Sequence, residues 1–72
     1  MIEIKIEIIF LTRMAGQLVH HSSTETKKIK IEKKEFFQEA LQYIEQYVDK
    51  SGFKIFSIDS ETGGVSYFLI KE

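Results

Sequence analysis

The residues able to do chemistry in this chain are few, and their spacing limits what they can do. His20 and His21 are adjacent. Neighbours on a strand point to opposite faces, so the two rings cannot easily grasp one metal, and the helical ligand spacings of i, i+3 or i, i+4 do not occur. Glu25 could join them only if its loop folded back. Serines stand at 22, 23, 51, 57, 60 and 66, none of them within Gly-x-Ser-x-Gly. Nucleophilic catalysis needs a nucleophile, an adjacent base and a group that orients the base, and no such trio is legible. Gly63-Gly64 is not followed by Lys-Ser/Thr and a helix, as a phosphate loop would be. Asp59 and Glu61 flank the same turn and read as solvated. Cysteine is absent, which excludes a thiolate nucleophile, a disulfide and a cysteine-ligated zinc. The expectation is a chain that is not an enzyme, with no catalytic residue, cofactor or metal.

The elements that would position these groups can be read from period and punctuation. Seventy-two residues make one small α+β domain, 1–72. Residues 2–12 begin in strict alternation, with Ile2, Ile4, Ile6, Ile8 and Phe10 on one side and Glu3, Lys5 and Glu7 on the other. That is the period of a strand. Ile9 and Leu11 then fall on the charged side. Residues 17–21 suggest a short extra strand, and residues 27–32 alternate again with Ile29 and Ile31 inward. These two segments are either separate strands or one long bent strand. Over 34–51, Phe37, Ala40, Leu41, Ile44, Tyr47 and Val48 follow a helical stripe, widened by Phe36 and Tyr43. No side-chain cap precedes it, whereas Gly52 suits the left-handed residue that ends a helix. Residues 53–59 and 65–70 read as a hairpin around Gly63-Gly64. The predicted architecture is an antiparallel β-β-α-β-β sheet with one helix packed on one face.

Charge is unevenly spread although the net is only −1. Residues 27–34 hold five lysines and one glutamate, a local +4, whereas residues 35–50 hold four acids and one lysine, a local −3. Lys27, Lys28, Lys30, Lys33 and Lys34 could track a phosphate backbone. Against this, lysines alternating with inward isoleucines describe the wet side of a strand, and edge strands use lysine to discourage aggregation. The chain has one arginine and no tryptophan. Nucleic-acid binding is therefore the second reading. The acidic helix face, Glu35, Glu39, Glu45 and Asp49, reads as solvated rather than as a mimic of nucleic acid.

The informative feature is a surplus of large apolar side chains. A single helix can shelter only part of one sheet face, yet isoleucines and four of the six phenylalanines (Phe10, Phe53, Phe56 and Phe68) are spread over both sides of the strands. Bulges could turn some of them back into the core, or residues 13–26 could fold over them. The preferred reading is a protein contact surface, with Ile9, Leu11, Phe56, Ile58, Tyr67 and Leu69 facing outward. Self-association through the sheet, most simply as a homodimer, would relieve the thin core of so short a chain. Acids and a lysine interrupt the apolar N-terminus, so neither a signal peptide nor a membrane span is expected. No motif names a family. The expectation is a small cytoplasmic interaction module, an inhibitor, adaptor or regulator, and its size, lack of cysteine and proline and plain α+β pattern are common among bacterial and phage accessory proteins.

Overall fold

A computed structural model describes residues 3–12, 14–31, 35–61 and 63–72. The predicted positions Ile2, Lys33 and Lys34 lie outside these residues. The chain runs β1 (Lys5–Thr12), β2 (Gln17–His21), β3 (Thr26–Lys30), α1 (Phe36–Ser51), β4 (Lys54–Glu61) and β5 (Gly64–Lys71). All strand pairs are antiparallel in one sheet ordered β3-β2-β1-β5-β4. The α+β class and the order of strands and helix are as the sequence predicts, and residues 17–21 and 26–30 are separate paired strands.

Local chemistry explains the element ends. Gly16 turns β1 into β2 with φ 61°, a conformation that suits glycine. Its carbonyl accepts from the Ile31 amide at 2.7 Å, tying the end of β3 to that turn. Glu35 precedes α1 without a side-chain cap. At the other end, Gly52 has φ 85° and its amide donates to the Val48 carbonyl. Lys71 completes this end by donating to the Ser51 carbonyl at 2.7 Å while its ammonium stands 5.9 Å from the centre of the Phe53 ring. A cation at a helix C-terminus complements the dipole.

The register fixes which residues share a face. Cross-strand partners point the same way, so Leu11 with Leu18 and Val65, and Ile9 with His20 and Tyr67, form rows on the helix side. The core consists of Ile9, Leu11, Leu18, Ile31, Phe36, Ala40, Ile44, Phe53 and Leu69, with Ile29, Tyr43, Tyr47, Val48 and Tyr67 packed against it. This reverses the expected sense of β1. Ile9 and Leu11, expected to face away from the helix, lie beneath it, 0% and 2% exposed. Ile6, Ile8 and Phe10 point to the open side instead.

In β4 the pairing slips between Ile55 and Ser57, where Phe56 and Ser57 together oppose Phe68. This bulge resolves the ambiguous faces of that strand. Ile55 and Ile58, partners of Leu69 and Tyr67, both lie on the helix side. Phe56 lies on the open side, its ring 6.2 Å from that of Phe68.

Candidate functional site

Two regions are built for more than filling a core. The first is a polar cluster between sheet and helix. Glu7 sits on β1 on the same side as Ile9 and Leu11, so alternation carries a carboxylate beneath α1. His20 on β2 is 6% exposed. Its Nε2 donates to Glu7 Oε1 at 2.6 Å. A carboxylate only accepts, so this contact assigns the ring proton to Nε2. In the neutral ring Nδ1 is then free to accept from the Tyr43 hydroxyl, 2.9 Å away. The Tyr47 hydroxyl donates to the same Glu7 oxygen. Both tyrosine rings meet the imidazole edge to face, with centres 5.9 and 4.4 Å from it. Tyr43 and Tyr47 are four residues apart, so one face of α1 delivers both phenols.

The cluster walls a cavity of about 260 Å³ whose rim is Ser22, Thr24, Glu25 and Lys27. The 22–25 loop does fold back, the Ser22 amide donating to the Glu25 carbonyl at 2.9 Å. Glu25 pairs with Lys27 at 3.6 Å. Yet among the described residues no group of three or more His, Asp or Glu is arranged to hold a metal ion.

Hydroxyl, imidazole and carboxylate stand in line, from Tyr43 through His20 to Glu7. Burial, and then the Glu7 charge, push the Tyr43 hydroxyl above its ordinary range. Burial, the hydrogen bond to Glu7 and its charge push Tyr47 higher still. Both phenols are held protonated, as donors. Among the described residues no buried side-chain nitrogen or oxygen lacks a partner. The cluster is a satisfied network that joins α1 to β1 and β2.

The second region is the open side of the sheet. Ile6, Ile8 and Phe10 on β1 stand beside Ile70, Phe68 and Ser66 on β5, with Phe56 beyond them. Ile6 is 54% and Phe56 52% exposed, and among the described residues no helix lies over this side. Of the six predicted contact residues, only Phe56 belongs here. Ile9, Leu11 and Leu69 are core, and Tyr67 is half-buried against it. As such they do not line an exposed surface. Ile58 is exposed, but on the helix side and past the reach of α1.

The predicted lysine strand is divided. Lys28 pairs with Val19 and Lys30 with Gln17, placing both on the open side, whereas Lys27 pairs with His20 on the cavity side. Glu7, Tyr43 and Tyr47 are site residues that no motif in the sequence singles out. A signal for Glu7 exists: an acid in alternation with Ile9 and Leu11 needs a buried partner, and His20 lies on the next strand.

Among the described residues no helix is long and apolar enough to cross a membrane. No protein-family model, curated protein or solved structure matches the chain.

Proposed function

We propose that the chain is a small non-enzymatic interaction module. Its open sheet face takes a protein partner, and the chain also associates with itself through its sheet. The observation that carries this reading is the run of exposed Ile6 and Phe56 and half-buried Ile8, Phe10, Phe68 and Ile70 on a side over which, among the described residues, no helix lies. Large exposed apolar patches mark interaction sites more often than idle surface. The tyrosines held as protonated donors support a structural rather than a catalytic use of the polar cluster.

The test is capture from an extract, with and without nuclease, on immobilised chain, comparing wild type with Ile6→Lys. The expected result is a protein retained by wild type and lost on the folded variant. A catch that vanishes with nuclease points instead to Lys27, Lys28 and Lys30 and a nucleic-acid partner. Equal capture by both chains overturns the open face as the partner site.

A further inference from the structure

Self-association can be assigned to a definite edge and register. Resting on the reading that this chain meets its own copies, we propose that two copies pair antiparallel through β4, with a two-fold axis between Phe56 and Ser57.

β4 is a free edge of the sheet. All its side chains from Lys54 to Ser60 are exposed, including Ile55, Phe56 and Ile58. Long apolar edges invite pairing, and natural sheets usually blunt them. The opposite edge, β3, is blunted: Lys27, Lys28 and Lys30 stand within five residues. Self-pairing there would bring like charges together.

The bulge gives β4 a symmetric order of faces. Lys54 faces the open side, Ile55 the helix side, Phe56 and Ser57 the open side, Ile58 the helix side and Asp59 the open side. Pairing about the centre sets Lys54 against Asp59 of the second copy, Ile55 against Ile58, and Phe56 against Ser57. Each pair shares a face. In a strand without the bulge, residues of opposite parity would face opposite sides, and this register would fail. The Lys54–Asp59 ion pair forms twice, and the four isoleucines close into one row on the helix side. Leu41, 46% exposed, lies on the flank of α1 opposite Tyr43. The two-fold symmetry consumes both β4 edges and leaves only lysine-bearing β3 edges outside, so the assembly stops at two. The open apolar faces remain available to a partner.

Sedimentation velocity on the full chain tests this with Lys54→Glu, Asp59→Lys, their equimolar mixture, and Ile6→Lys. Circular dichroism checks that each is folded. Wild type and Ile6→Lys are expected to be dimers. Each charge variant places like charges opposite one another twice, so its dimer dissociation constant rises roughly tenfold or more. The mixture restores a 1:1 dimer. In it the glutamate introduced into one copy meets the lysine introduced into the other, and the native Lys54 and Asp59 meet across the axis. A dimer indifferent to both charge variants, or a mixture that does not reassociate, overturns the pairing. If Ile6→Lys alone splits the dimer, self-association stands but belongs to the open face. A monomeric wild type overturns both.

Discussion

A carboxylate beneath a helix needs donors, and Glu7 has two on one oxygen, His20 and Tyr47 both bonding Oε1. Removing the acid strands a buried imidazole proton, so Glu7→Leu should destabilise the fold by about 1–3 kcal/mol in urea melts. Tyr47→Phe removes one donor and should cost about 1 kcal/mol. The raised phenols also set a pH dependence. Below the ordinary tyrosine range near pH 10 both folded and unfolded chains keep these protons, and the contribution is complete. Above it the unfolded chain loses them first, so stability falls as pH rises through the folded values. Thermal melts from pH 8 upward should therefore decline more steeply past pH 10 for wild type than for the Tyr43→Phe/Tyr47→Phe chain. Equal slopes would show that the phenols are not held in the protonated state. Leu11 makes the inverted face of β1 testable. Leu11→Lys would bury an ammonium in a 2% exposed site and should abolish the folded circular-dichroism signal. A folded variant would return Leu11 to the surface.

At the scale of elements, the β4–β5 hairpin depends on one glycine. A Cβ on Gly64 would stand 2.1 Å from the Leu11 carbonyl oxygen and 3.0 Å from the Phe10 ring, whereas one on Gly63 meets nothing within 4 Å. The clash is with backbone, so β5 would have to move off β1. Gly64→Ala should cost about 1–3 kcal/mol in denaturant melts, with Gly63→Ala close to wild type. Equal effects would mean that loop entropy, not the close approach to β1, governs the hairpin. The elements themselves are legible in the sequence because their signals are local: alternation in β1, the stripe of α1, Gly52 at its end. The sense of β1 is not. Ile8/Phe10 and Ile9/Leu11 are equally apolar, and the helix covers the side bearing Glu7 because His20 and the tyrosines arrive there from other elements. The bulge is equally hidden, since nothing in Ile55-Phe56-Ser57 marks the residue that the β5 register leaves over. Four of the six expected contact residues lie in or against the core through the first of these, or its counterpart in β5.

For the whole molecule, the question is whether one copy is a complete structure. The helix covers Ile9, Leu11 and Leu69 but stops short of Ile55 and Ile58, so β4 gains little from burial in the single chain. A second copy on that edge would supply the missing cover, and mass action would then tie stability to concentration. For a chain of this length each tenfold rise in protein should lift the wild-type melting midpoint by on the order of 4 °C. Lys54→Glu, its dimer weakened by repulsion across the axis, should melt lower and depend less on concentration over the same range. Added salt sharpens the comparison. It screens the exposed Lys54–Asp59 pairs and should lower the wild-type midpoint, while screening the repulsion in Lys54→Glu should restore part of its concentration dependence. A wild-type midpoint unchanged by dilution would mean that the small core is sufficient by itself and that the exposed isoleucines of β4 serve something other than a second copy.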